Sequence, residues 1–130
     1  MGGTSDLEQR YRDYLGCLNA RRFDDLGAHV GEDVLHNGVR LGLGGYRAML
    51  ENDVGTVPDL VFDVRLLVAT GDTVGAILGF ECTPVREFRG LPPTGRAISF
   101  TEHVFYRYRG GTIAQVWSLL DDAAIRAQLS

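Results

Sequence analysis

The sequence predicts an α+β fold, and three observations carry that reading. Apolar residues recur at helical spacing through the first half, long runs of Val, Ile, Leu and Phe fill the second half, and no repeating βαβ alternation appears. Without such alternation, and without a Gly-x-Gly-x-x-Gly loop, a parallel dinucleotide-binding sheet is not expected.

The elements follow in order. Leu7, Tyr11, Tyr14, Leu15 and Leu18 define one face of a helix over residues 6–21, with Ser5 or Asp6 as its N-cap. Phe23 to His29 reads as a second short helix stopped near Gly31, and Val34 to Asn37 as a short strand. Gly42 to Gly45 reads as a flexible entry to a third helix, which carries Tyr46, Met49, Leu50 and Asp53 on one side. Beyond Pro58 the pattern becomes β. Leu60–Ala69 and Thr73–Thr83 are strands joined by a Thr70-Gly71-Asp72 turn, and the Gly- and Pro-rich stretch Arg86–Arg96 is a loop. Ala97–Tyr108 and Thr112–Leu120 form a hairpin through Arg109-Gly110-Gly111-Thr112, and a last helix runs to Leu129 behind Asp121 or Asp122.

Two adjacent glycines suit a two-residue type I′ turn, in which both central residues need positive φ. Arg109 then pairs with Thr112, Val104 with Trp117 and Glu102 with Leu119. On that register Glu102, Tyr106, Gln115, Trp117 and Asp121 share one face, and His103, Phe105, Val116 and Ser118 the other. A three-residue turn slips the register by one and brings His103 beside Trp117. The strands look apolar on both faces. If the helices cover one, a second copy of the sheet is expected to cover the other, giving a homodimer.

Composition removes several function classes. The 130 residues, 45% of them hydrophobic, suit one domain spanning residues 1–130. A net charge of -4 argues against nucleic acid as a partner. All thirteen basic residues are arginine, which excludes lysine Schiff-base chemistry and a phosphate-loop lysine. Cys17 and Cys82 lack metal or redox spacing and are expected to be buried free thiols. Three histidines with no metal-site spacing leave a metal centre unexpected. The first residues show neither a signal peptide nor a myristoylation pattern, and no apolar run reaches membrane-spanning length, so a soluble cytoplasmic chain with no membrane association is expected.

The segment Gly90-Leu91-Pro92-Pro93-Thr94-Gly95 is followed by Tyr106-Arg107, Gly111-Thr112-Ile113 and Trp117-Ser118-Leu119-Leu120-Asp121. This combination resembles the SnoaL-like polyketide cyclases. The resemblance implies a nuclear transport factor 2-like cone, the architecture shared with ketosteroid isomerase and limonene epoxide hydrolase. It also implies an intramolecular aldol cyclisation by acid–base side chains without metal or organic cofactor, although some relatives are cofactor-free hydroxylases. Two positions depart from the family pattern, Pro84 where a histidine is common and Gln115 where an acid is common.

Removing a proton beside a carbonyl needs a base and an oxyanion donor. The candidate catalytic residues are His103, Asp121, Glu81 and Glu102, each set against a plainer role. For His103 the plainer role is a core or interface histidine, for Asp121 a helix N-cap, for Glu81 a solvent-facing side chain or a partner for an arginine, and for Glu102 an ion pair with Arg107 or with an arginine on a neighbouring strand. Tyr14, His36, Tyr46, Phe105 and Trp117 are candidate walls for a flat hydrophobic substrate. The reading is a cofactor-independent cyclase or isomerase acting on a carbonyl-bearing, polyketide-like metabolite. Its rivals are an epoxide hydrolase or hydroxylase on the same scaffold, and a non-catalytic binding domain.

Overall fold

The computed structural model describes residues 4–130; Met1, Gly2 and Gly3, on which the expectation of no N-terminal sorting signal partly rests, lie outside the described residues. The chain runs α1 (Thr4–Asn19), a 3-10 helix (Phe23–Ala28), β1 (Val30–His36), β2 (Val39–Arg40), α2 (Gly42–Thr56), β3 (Asp63–Thr70), β4 (Thr73–Cys82), β5 (Ile98–Arg109), β6 (Thr112–Leu120) and α3 (Asp122–Leu129). The six strands form one sheet in the order β2-β1-β6-β5-β4-β3, antiparallel except where β1 joins β6. This α+β arrangement is the one the sequence predicts.

The apolar stripe of α1 does what its spacing requires, with Tyr11, Tyr14, Leu15 and Leu18 all buried against the sheet. The helix begins at Thr4, so Ser5 and Asp6 lie within its first turn rather than capping it. Its C-terminal end also shapes the chain far away. Arg21 donates to the carbonyls of Pro58 and Leu60 at 3.1 and 2.6 Å, and Asn19 brackets the backbone N–H and C=O of Phe62 at 2.7 and 3.1 Å. Those peptide groups are satisfied by Asn19 at the end of α1 and by Arg21 just beyond it, which is why β3 starts at Asp63 and not at Leu60.

Three elements differ from expectation in the first half. The strand expected at Val34 begins at Val30, which pairs with Ile113, so Gly31 lies inside β1 and is not a helix stop. Asn37 and Gly38, with φ of 48° and 82°, turn the chain into the short strand β2, an element the sequence reading left out. Asn-Gly is itself a strong hairpin signal. Gly42 to Gly45 are the first turn of α2 rather than a flexible lead-in. Burial of Tyr46 and Leu50 outweighs the helix cost of these glycines, about 1 kcal/mol each.

The β5–β6 hairpin carries the correction with most consequence. Gly110 and Gly111 have φ of 61° and 87°, and Arg109 pairs with Thr112, as the two-residue turn requires. Between Arg107 and Tyr108 the register shifts, because Ala114 is an extra residue in β6. From there on Phe105 faces Trp117, Val104 faces Ser118 and Glu102 faces Leu120. The inner face therefore carries Glu102, Val104 and Tyr106 with Val116, Ser118 and Leu120. The outer face carries His103 and Phe105 with Gln115, Trp117 and Leu119.

β5 alternates sharply once the register is known: Ile98, Phe100, Val104, Tyr106 and Tyr108 are buried, while Ser99, His103, Phe105 and Arg107 are exposed. Among the described residues nothing covers the outer face, where Leu66, Val68, Phe105 and Leu119 are each more than half exposed. Cys17 and Cys82 are free and buried. No helix among the described residues is long and apolar enough to cross a membrane.

Candidate active site

The concave side of the sheet and helices α1 and α2 enclose a cavity of about 230 Å³. Its wall is largely aromatic, with Phe62, Phe80, Phe88 and Phe100 toward one end and Tyr14, Tyr46 and Tyr106 toward the other polar groups. Phe80 and Phe100 stack with ring centres 5.1 Å apart, a flat apolar surface provided by adjacent strands.

Four ionisable side chains reach this cavity from four different elements: His36 from β1, Asp53 from α2, Arg89 from the loop after β4, and Glu102 from β5. Glu102 sits among buried aromatic rings and accepts a hydrogen bond from the Ser118 hydroxyl. Burial pushes its pKa up, the Ser118 bond opposes that, and the charge of Asp53 adds to it. Asp53 is raised to about 6 by burial, with the Arg89 guanidinium pulling it back. His36 is lowered by burial and is neutral at neutral pH.

Arg89 is fixed by the loop. Its backbone is left-handed, with φ of 53°, and its Nε and Nη2 both donate to the carboxylate of Asp122 at 2.7 Å. That leaves Nη1 outside the pair while the charge remains near Asp53. The tyrosines form a second polar group. The hydroxyls of Tyr14 and Tyr46 are 2.7 Å apart, and the Tyr11 hydroxyl donates to that of Tyr106 over 3.4 Å. Burial raises the pKa values of all four, so they stay protonated donors. In a pair of hydroxyls only one proton is used between the partners, and the other is free for a ligand.

The structure brings together some of the sequence candidates and separates others. Glu102, Tyr14, His36 and Tyr46 line the cavity. His103 is exposed on the outer face opposite Leu119, Glu81 is exposed opposite Ser99, and neither lines the cavity. Asp121 is exposed and accepts from the backbone N–H of Ala124, so it caps α3. Phe105 and Trp117 pair on the outer face, where Arg107 lies over the indole at 5.4 Å. The Ala114 bulge accounts for Trp117, since one extra residue sends each following side chain of β6 to the opposite side.

Asp53, Arg89 and Ser118 complete the site without having been sequence candidates for it. Asp53 had a legible signal, a carboxylate in line with Tyr46, Met49 and Leu50 on the apolar side of a helix. Arg89 and Ser118 had none, because one depends on loop geometry and the other on the bulge. Among the described residues no group of three or more His, Cys, Asp or Glu side chains is arranged to hold a metal ion.

The family model for SnoaL-like polyketide cyclases matches residues 8–129. A crystal structure of a SnoaL-like polyketide cyclase from Agrobacterium tumefaciens is similar at 45% identity and a TM-score of 0.92, over 95% of this chain and 98% of that one. TsrD from Streptomyces laurentii is similar at 26% identity and a TM-score of 0.86, over 97% and 96% of the two chains. IdmH from Streptomyces antibioticus, at 24% identity and a TM-score of 0.84 over 95% and 98%, shares the fold. No curated protein matches the chain.

Proposed function

The chain belongs to the SnoaL-like polyketide cyclase family, whose fold and membership support a cyclase- or isomerase-type role, and from that premise we propose a cofactor-independent proton-transfer enzyme for a hydrophobic, carbonyl-bearing metabolite. The single observation that carries the proposal is that the Glu102 carboxyl, held by the Ser118 hydroxyl, and the Tyr14–Tyr46 hydroxyl pair face one aromatic cavity. A carboxyl set beside neutral hydroxyl donors can take a proton from carbon while the donors hold the oxyanion that forms.

In the proposed step the Glu102 carboxylate takes a proton from the carbon alpha to the substrate carbonyl. The electron pair of the broken C–H bond moves into the C–C–O system, and the oxyanion accepts the free proton's hydrogen bond from the Tyr14–Tyr46 pair. For cyclisation, the enolate carbon bonds to a second carbonyl carbon of the same molecule. The new alkoxide takes up the proton that Glu102 acquired from the alpha carbon, which returns Glu102 to its carboxylate form. For isomerisation, Glu102 returns its proton to a different carbon. Ser118 holds the carboxylate oriented, and neutral His36 accepts hydrogen bonds at the wall.

The cavity's 230 Å³ lies below the roughly 300–1,000 Å³ of ordinary small-molecule pockets, which favours a substrate of one or two rings, or one that projects from the mouth. The test is hydrogen–deuterium exchange at the alpha carbon of 2-tetralone, followed by NMR. The proposal expects catalysed exchange by the wild type and a loss of about 10²–10⁴-fold in Glu102→Gln. Exchange unchanged in that variant would sink it.

The outer sheet face supports a second part of the proposal, a homodimer. Leu119 at 72% and Phe105 at 52% exposure lie on the same sheet face as Leu66 and Val68, both also more than half exposed. A second copy of the same face is the self-complementary occupant that two-fold symmetry provides.

A further inference from the structure

We infer that Asn37 is a positioning residue for Glu102, acting through Ser118 across the β1–β6 junction; this rests on Glu102 being the proposed base. The backbone of β1 leaves the sheet at His36, the last residue paired with β6, because the left-handed Asn37 starts the turn into β2. Past that point the backbone of β6 needs another partner on this edge. Asn37 supplies it. Its backbone N–H donates to the Val116 carbonyl at 2.9 Å, its Oδ1 accepts from the Ser118 N–H at 2.8 Å, and its Nδ2 donates to the Ser118 carbonyl at 3.1 Å.

A side-chain amide carries one acceptor and a donor in one plane, as a peptide group does, so it extends the ladder by one residue where the backbone has turned away. The residue it clamps from both sides is the one whose hydroxyl donates to Glu102. Asn is also among the few residues that tolerate left-handed backbone. One residue thus makes the turn and fixes the Ser118 backbone on which the Glu102 hydrogen bond depends.

The readout is the titration of the Glu102 side-chain carboxyl carbon, followed by NMR in the free protein. The groups that face or act on Glu102 are Asp53 and Tyr46 from α2, Tyr14 and Tyr11 from α1, His36 from β1, Arg89 from the loop and Tyr106 from β5, and the variants leave all of them in place. Asn37→Gly keeps the left-handed turn, since Gly-Gly already makes the same kind of turn at residues 110 and 111. Ser118→Ala is expected to move the Glu102 titration upward by removing its donor. Asn37→Gly is expected to move it the same way by at least roughly half as much. The double variant is expected to match Ser118→Ala alone, because both act through one hydroxyl.

A Glu102 titration unmoved by Asn37→Gly, while Ser118→Ala moves it, overturns the inference. So does fully additive behaviour. If Asn37→Gly does not fold, hydrogen exchange of the Ser118 amide in the wild type decides. Protection like that of its β6 neighbours supports the clamp, and exchange at an open-chain rate overturns it. Because the titration is read without substrate, a wild type inert toward 2-tetralone refutes the proposed reaction and leaves this inference standing on its own result.

Discussion

The Ser118 hydroxyl reaches the Glu102 carboxylate diagonally across the β5–β6 pair, Ser118 facing Val104 directly and Glu102 facing Leu120. In a hairpin with no bulge Glu102 would face Leu119, and Trp117 would occupy the inner face. One extra residue, Ala114, therefore decides that the base has a small hydroxyl neighbour and that the indole lies outside.

Stability is expected to fall as pH rises through the window between the ordinary Asp value of 3.8 and about 6. Asp53 holds its proton more tightly in the folded chain than in the unfolded one, and Glu102 shifts in the same direction. The folded state then binds more protons across that window, which makes the slope negative. Asp53→Asn removes the cost of an ionised carboxyl there. It is expected to flatten this slope and raise stability above pH 6 by on the order of 2 kcal/mol, measured by urea unfolding against pH.

Tyr14→Phe removes one hydroxyl of the Tyr14–Tyr46 pair. If that pair supplies the oxyanion donor, alpha-proton exchange should fall by roughly 10²-fold while KM changes much less. The loss of one hydrogen bond should cost only about 1 kcal/mol of stability.

Asp121 and His103 separate the sequence expectation from the geometry. Asp121→Ala is expected to lower stability by about 1 kcal/mol through loss of the α3 N-cap, and Asp121→Asn to restore it. Neither variant, nor His103→Ala, should slow exchange by more than about twofold, about 0.4 kcal/mol of barrier.

The homodimer is tested at Leu119, the most exposed of the large apolar residues on the sheet face. Sedimentation velocity is expected to give a dimer for the wild type and a monomer for Leu119→Arg, since burying an unpaired guanidinium at a self-paired face is costly. A monomeric wild type at micromolar concentration would retire this part of the account.

Much of this was legible in the sequence where local pattern dominates. The apolar stripe of α1, the four long strands of the second half and the Gly110-Gly111 turn each follow from short-range rules, and the structure agrees with them. The candidate site was legible where a side chain's face depends on its own element, as for Tyr14, His36 and Tyr46. It failed where a face depends on a partner strand. Neither the placing of Trp117 and Phe105 outside nor the pairing of Glu102 with Ser118 is set by anything within β5 or β6 alone. The residues on either side of the bulged Ala114, Ile113 and Gln115, pair with β1, more than seventy residues away in sequence. Asp121 misled for a different reason, since the end of a strand and the cap of a helix are the same position and capping is what its side chain does.

The most direct measurement is a crystal structure of Glu102→Gln in complex with 2-tetralone. The account predicts the ketone inside the aromatic cavity, its alpha carbon facing residue 102 within about 3.5 Å and its oxygen in hydrogen-bond reach of Tyr14 or Tyr46. A ketone bound on the outer sheet face, or in the cavity with its alpha carbon turned away from residue 102, would contradict it.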